Sequence, residues 1–281
     1  SNVLLAITKY YPSYHTVSTD PPQDRPLAAI VLAAGQGKRM QDPSIAKVLY
    51  PIGAEPMLGH VLRLCQHIEA APIICIIGYG REAVAAYINE QFPHVRTAIQ
   101  EEQLGTGHAT QQAERPLNGF AGDVLILSGD VPLLTIATTK KLLAEHRARN
   151  ASATVLAVRM KDPTGYGRIV RTPSPDDRSS GSLEKIVEEK DATPKEKKIG
   201  EINTGIYVFD SSILFDVLKR IDRKNAQGEF YLTDTFALLI AQFGLGAISV
   251  VTTDDPIEAS GVNTKEQLAA LEAEFRRRGN I

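Results

Sequence analysis

Cysteine is scarce in this 281-residue sequence, which holds only Cys65 and Cys75. Each lies among apolar neighbours, one in a helical pattern and one in a strand pattern. That excludes a disulfide framework and a zinc site of Cys/His spacing, and it fits a reduced, cytoplasmic setting. Charge of one sign is lacking as well: 31 Lys and Arg stand against 33 Asp and Glu, a formal net charge of -2. Non-specific nucleic-acid binding needs a basic surface that displaces counterions, so nucleic acid is not expected as a partner. A local cationic pocket remains open. No apolar run approaches the roughly 20 residues that span a bilayer, and the N-terminal "VLLAI" is too short, so no membrane is expected either. Internal repeats are missing, and so is any convincing His-Asp-Ser or Cys-His constellation, which fits a reaction that needs no general base.

What is present begins with hydrophobic content, 43% of residues, enough for a large core in one large domain or two small ones. Residues 1–26, ending in "TDPPQDRP", have little periodicity and read as an extension outside the core, a candidate for disorder. From Leu27 onward, apolar strands alternate with amphipathic helices. Strands are expected over Leu27–Ala33, "PIICIIG", "TAIQ" and "DVLILSGD"; helices over Pro56–Ile68, "REAVAAYINEQF", "GHATQQAE" and Thr135–Arg149. This alternation implies an α/β fold, a parallel sheet with helices on both faces and strand C-termini along one edge, where ligands bind. The second half changes character. "SATVLAVRM" and "GYGRIVR" look like paired strands, a Pro/Ser/Asp-rich loop lies between Thr172 and Gly181, and "EINTGIYVFD" is a strong strand. Helices over Ser212–Ile221 and Asp234–Phe243, the strand "AISVVTT" and a last helix over Thr264–Arg277 follow. No linker divides the chain into independent domains.

The stretch "AIVLAAGQGKRM", Ala29 to Met40, ends a buried strand in two glycines one residue apart and two adjacent cations, Lys38 and Arg39. Glycine after a strand lets backbone N–H groups turn towards an anion. A tight turn with solvated cations is the plainer reading. A dinucleotide fingerprint fails because Met40 stands where a third glycine belongs, and a Walker loop fails because Arg39 follows Lys38. Lys47 adds a third cation on the same loop. In "LSGDVPLL", Asp130 closes a hydrophobic strand at the same edge, where it can cap a turn or hold a hard divalent cation that bridges phosphates.

The segments "LAAGQGKRM", "QEEQLGTGHA", "SGDVPLL", "GYGRIV", "VEEKDAT", "EINTGIYVFD", "NAQGEFYLTD" and "GVNTKEQL" occur in one order along one chain. Together they resemble the bacterial N-acetylglucosamine-1-phosphate uridyltransferases, within the sugar-nucleotidyltransferase superfamily, from Leu27 to about Leu271. The resemblance implies a Rossmann-like, mostly parallel mixed sheet flanked by helices, with a smaller β-rich sugar-binding subdomain. By it, residues 27–150 form the nucleotide-binding half, 151–263 the sugar-binding half and 264–281 a C-terminal helix. Leu32, Ala33, Ala34, Gly35 and Gly37 would lie beside the nucleotide with Ser128 and Gly129, while Gln100, Gly105 and Thr106 read uracil. Arg39 and Lys47 would bind the triphosphate and stabilise the transition state; Asp130 and Asn263 would hold Mg²⁺. Gly167, Glu188, Asn203, Tyr231 and Thr233 would bind the sugar. Ordinary structural readings stand beside these: Asn263 as a helix cap, Glu188 as a solvated charge, Tyr231 as a core aromatic, His108 as a packing or hydrogen-bonding residue.

The chain departs from the family's pattern at Lys38, where Thr or Ser is usual, at Ile45-Ala46-Lys47 in place of Leu-Pro-Lys, and at Ser128 in place of Tyr. The implied reaction is in-line attack by N-acetylglucosamine 1-phosphate on the α-phosphorus of UTP, giving UDP-N-acetylglucosamine, a cell-wall and lipopolysaccharide precursor. Rival expectations are a nucleotidyltransferase using another nucleotide or sugar phosphate, such as glucose 1-phosphate, and a catalytically silent nucleotide-sugar sensor. Bifunctional relatives add a β-helical acetyltransferase of hexapeptide repeats, which these residues lack, so acetyl transfer is not expected and a monomer or weak homo-oligomer is.

Overall fold

The computed structural model describes residues 25–40, 42, 44–173 and 181–279. Most of the 1–26 extension, and the tip of the loop expected between Thr172 and Gly181, lie outside the described residues.

The first half runs β1 (Leu27–Ala33), β2 (Pro51–Ile52), β3 (Glu55–Pro56), α1 (Met57–His67), β4 (Ile73–Ile77), α2 (Arg81–Gln91), β5 (Arg96–Ile99), α3 (Thr106–Gln111), β6 (Asp123–Ser128) and α4 (Ile136–Ala148). The second half adds β7 (Ala153–Arg159), β8 (Gly167–Arg171), β9 (Leu183–Val187), β10 (Glu201–Asp210), α5 (Ser211–Leu218), α6 (Asp234–Phe243), β11 (Ile248–Thr253) and α7 (Lys265–Arg277). One sheet orders its main row β11-β7-β10-β6-β1-β4-β5. β1 is parallel to β4 and β6, β4 to β5, and β7 to β11. β10 alone in the row is reversed, antiparallel to β6 and β7. The remaining strands therefore end at one edge, and β10 begins there.

Strand sequences such as "LAAIVLA" and "IICII" are apolar throughout because both faces are covered. The period of two splits them between two cores. Ala29, Val31 and Ala33 of β1 join Cys75, Leu125, α1 and α2 on one face. Ala28 and Ile30 join Ile74, Val124, Phe209, α5 and α6 on the other. Helix starts follow local capping chemistry. Thr135 accepts from Thr138 N at the head of α4, and Thr264 with Gln267 closes a capping box on α7.

One expected pairing is corrected. β7 and β8 are not partners: β7 lies between β10 and β11, and β8 pairs with β10 and β9. β6 covers β10 only over Tyr207–Asp210; beyond a register shift between Asn203 and Tyr207, β8 takes over at Ile202 and Asn203. Gly205, at φ 79°, sits in that shift. The turn away of β6 opens room above the edge, and the β8–β9 hairpin borders it.

A third, smaller core holds the C-terminal helix. Met40, Ile52, Met57, Leu133, Val262 and Leu271 are buried together, with Phe275 and Leu268 packed against them. Gly53, at φ 62°, leaves space that the Phe275 ring enters: an added Cβ would come within 2.6 Å of it.

Candidate active site

A cleft of about 540 Å³ opens at the C-terminal edge of the sheet. Its floor is the end of β1 and the turn that follows, Leu32 to Gly37; its walls carry Lys47, Gln100, Gly105, Thr106, Ser128, Asp130 and Glu229. This volume suits a small organic ligand. Gly129 N donates to Leu32 O at 2.9 Å, which ties the β6 end to the β1 end, so Gly129 braces the floor from behind. Gly37 adopts φ 59°, and an added Cβ would stand 2.7 Å from Lys47 Cβ. Glycine is needed there on both counts.

Lys47, at the head of the short 3-10 turn Lys47–Leu49, is aimed into the cleft. Its Nζ donates to Asp130 Oδ2 in a very close ion pair and to Asn263 Oδ1 at 3.3 Å. Asp130 Oδ1 accepts from Ser128 Oγ at 2.6 Å. Three segments distant in sequence thus converge on one point. Carboxylate and amide oxygens are hard donors, and here they already share a cation, the lysine ammonium. That donor set fits a divalent ion which completes its shell with water and phosphate oxygens. Among the described residues there is no cluster of three or more His, Cys, Asp or Glu able to hold a metal alone. Asn263 is not the helix cap, since Thr264 fills that role; its own N–H donates to Gln267 Oε1 at 2.8 Å.

Arg39 is placed differently. It lies in the exposed turn Lys38–Met40, does not line the cleft, and makes no hydrogen bond or ion pair among the described residues. Its neighbour Met40 is 1% exposed and anchors the turn in the third core.

The far wall holds the predicted base-reading residues together. Gln100 is buried, with Nε2 donating to Gly105 O at 3.1 Å. Gly105, at φ 111°, leaves no room for a side chain: a Cβ would come within 2.5 Å of Phe230 O. Thr106 Oγ1 accepts from Leu232 N at 3.1 Å, so this wall is stitched to the loop that carries Tyr231. Gln36 and Gln103 also line the cleft, joined at 3.3 Å, and sequence reasoning missed both. The signal was their place inside "GQGKRM" and "QEEQLGTG", each beside a glycine turn.

The five residues assigned to the sugar gather in an adjoining cluster rather than in the cleft lining. Glu188 Oε1 accepts from Thr233 Oγ1 at 3.0 Å, and a Cβ on Gly167 would touch Glu188 Oε2 at 3.3 Å and Asn203 Cβ at 3.4 Å. Burial raises the Glu188 carboxyl above its ordinary pKa, with Asp234, Asp191 and Glu229 adding to the shift. Asn203 Nδ2 donates to Tyr207 Oη at 2.8 Å and its Oδ1 accepts from Gly205 N at 3.3 Å, so both ends of the amide are held. Tyr231 is buried and its hydroxyl donates to Asp191 Oδ2 at 3.3 Å, a bond that helps hold the 225–231 loop. Asp191 also accepts from Ala226 N at 2.9 Å, a bracing role the sequence reading missed. Burial raises the Tyr166 phenol pKa, and the charge of Asp130 adds to the shift.

A family model described as nucleotidyl transferase matches residues 28–247. Among curated proteins, the chain is 45% identical over 252 residues to the Bifunctional protein GlmU of Pelotomaculum thermopropionicum. It is 42% identical over 252 residues to that of Enterococcus faecalis and 46% over 256 residues to that of Corynebacterium jeikeium. Each alignment takes in 90% of this chain but 52%, 52% and 50% of those relatives, so the chain spans about half their length. A solved structure from Bacillus anthracis, described as a candidate glucose-1-phosphate thymidylyltransferase with a bound sucrose, superposes with a TM-score of 0.66 at 21% identity. It covers 89% of this chain and 95% of that one, which establishes the shared α/β fold. A family match that begins in β1 and runs to the threshold of β11 takes in every strand but the last, and on that ground the chain belongs to the nucleotidyl transferase family.

Proposed function

We propose that this chain transfers a uridylyl group from UTP to N-acetylglucosamine 1-phosphate. A phosphate oxygen of the sugar phosphate forms a bond to the α-phosphorus of UTP. The bond from that phosphorus to the bridging oxygen breaks, and pyrophosphate leaves with the electron pair. The nucleophile is already an anion near neutral pH, so no general base is required of the protein. The chain's task is alignment of two polyanions and neutralisation of their repulsion.

The observation that carries this reading is the meeting of Lys47, Asp130 and Asn263 beside the glycine turn of β1. Two opposite unit charges near 4 Å attract by about 4 kcal/mol at an effective dielectric of about 20, so one ammonium and one guanidinium matter to a triphosphate. In this proposal Asp130 and Asn263 hold Mg²⁺, which when bound supplies charge neutralisation on the phosphates. Lys47 grips phosphate from the cleft, and Arg39 reaches it from the exposed turn. Gln100, Gly105 and Thr106 take the base; Glu188, Asn203, Gly167, Tyr231 and Thr233 take the acetamido sugar. Names of the relatives support this choice within the family, as does the ordered set of motifs.

The test mixes purified protein, MgCl₂, UTP and N-acetylglucosamine 1-phosphate and measures UDP-N-acetylglucosamine and pyrophosphate. Glucose 1-phosphate and the other nucleoside triphosphates are the competing substrates. Faster turnover of any competitor would replace the proposed substrate pair, and tight binding without turnover would turn the reading to a sensor.

A further inference from the structure

The amide of Gln100 is held from two directions. Its Nε2 donates to Gly105 O at 3.1 Å and lies 3.1 Å from His108 Nδ1. A backbone carbonyl only accepts, so the group facing Gly105 is the NH₂; reversed, the amide would oppose two carbonyl oxygens. Its second hydrogen then points at His108 Nδ1, 3.1 Å away, which serves as its acceptor. Both amide hydrogens are committed. The oxygen Oε1 is what Gln100, 4% exposed, has left to offer the cleft that it lines.

His108 is well placed to hold this arrangement. It sits in the first turn of α3, its carbonyl accepts from Gln112 Nε2 at 2.9 Å, and its ring lies 6.4 Å from the Phe230 ring. Gly105 O alone is a weaker guide, because it also receives Ala109 N at 3.0 Å. The terminal torsion of glutamine is broad and two-fold, so a single shared anchor leaves the amide free to turn over.

We propose that His108 is a positioning residue for base selection. By taking the second amide hydrogen of Gln100 it fixes Oε1 towards the cleft as an acceptor. A fixed acceptor pairs with the imide N–H of uracil and opposes the bare ring nitrogen that cytosine presents at the same place. With the amide free, its NH₂ face turns inward and serves cytosine. A site built around one hydrogen-bond polarity discriminates through the group it would leave unpaired. This inference rests on the uridylyl reading above and adds a determinant of its strictness.

The experiment compares kcat/KM for UTP and CTP, with saturating N-acetylglucosamine 1-phosphate and Mg²⁺, in the wild type, His108→Leu and His108→Asn. The Asn side chain offers an oxygen where Nδ1 stands; Leu offers none. His108→Leu is expected to lower the UTP:CTP ratio by about tenfold, the fold-change of one misplaced hydrogen bond of ordinary strength. His108→Asn is expected to keep the ratio within about threefold. Equal losses on both nucleotides in His108→Leu, leaving the ratio intact, would overturn the proposal, as would an Asn variant that behaves like Leu. Should His108→Leu not fold, His108→Ala makes the same comparison. A wild type that ignores UTP would defeat the uridylyl reading itself and this inference with it, a result distinct from an unmoved ratio.

Discussion

Lys47 and Asp130 stand 83 positions apart in the chain and meet as an ion pair in the cleft, their side chains 13% and 12% exposed. The lysine therefore occupies the carboxylate that a divalent cation would need, and ammonium and metal compete for it. Removing the ammonium with Lys47→Met should strengthen Mg²⁺ or Mn²⁺ binding, read by calorimetry, while turnover falls by ~10²–10³ for want of a preorganised cation. Asp130→Asn should abolish Mg²⁺-dependent turnover. Unchanged metal affinity in the first variant, or wild-type rates in the second, would remove Asp130 from the metal site.

Gly37→Ala tests the turn itself. The substitution puts a side chain at φ 59° and 2.7 Å from Lys47 Cβ, so lysine must shift. A left-handed conformation costs a non-glycine residue about 1–2 kcal/mol. Turnover should drop by at least about tenfold, because a small misplacement of a catalytic group is costly. The melting temperature should fall by only a few degrees, as such a cost implies. Steady-state kinetics beside a thermal melt separates the two.

Arg39 projects from a turn outside the cleft and has no described partner, so it is free to move onto a bound triphosphate. Arg39→Ala should lower kcat by ~10²–10³ and leave the KM for UTP nearly unchanged. A rise in KM with kcat intact would make Arg39 a binding residue only.

His146 governs an acid limit to stability. Burial lowers its pKa to about 4, although Asp123 Oδ1 lies 3.7 Å from Nε2. The attraction of Asp123 is outweighed by burial, and Arg25 and Arg147, both paired with Asp123, oppose the imidazolium as well. The unfolded ring titrates near 6.5. The folded state binds its proton less readily, so stability due to His146 is complete above pH 6.5 and drains away as pH falls towards 4. A shift of this size is worth roughly 3 kcal/mol. Denaturant melts from pH 7 to pH 4 should show that loss. His146→Asn, which keeps a partner for Thr154 Oγ1, should flatten the slope.

Both cysteines are fully buried, and burial pushes the Cys65 thiol up to about 12 and the Cys75 thiol higher still. Neither should react with a thiol reagent at pH 8 in the native protein, and both should react in denaturant. A fast native phase in a colorimetric thiol titration would contradict their burial.

Much of this was legible in sequence because local rules and packing agree there. β1 runs over Leu27–Ala33 and α6 over Asp234–Phe243, as periodicity and flanking glycines indicate. Lys47, Asp130 and Asn263 do converge, since strand ends and the loops after them share one edge of the sheet. What sequence could not supply is sideways order. Nothing local in "GYGRIVR" says that it joins β10 where β6 turns away, because pairing partners are chosen by the whole sheet. Tyr231 gave no sign of which way it faces, and Asp191 looked like one more charge in "VEEKDA". The turn carrying Arg39 shows the opposite limit: the motif was plain, but an exposed arginine has no folded contact to fix it.

α7 contributes no side chain to the cleft, yet Leu271 and Phe275 reach back to Met40, Ile52 and Gly53. The arginine turn and the asparagine that faces Lys47 are thus moored to the same helix, one from each side. Loosening that mooring, for instance with Phe275→Ala, would blur catalysis from a distance, slackening two polar groups together while the pocket's walls stood firm.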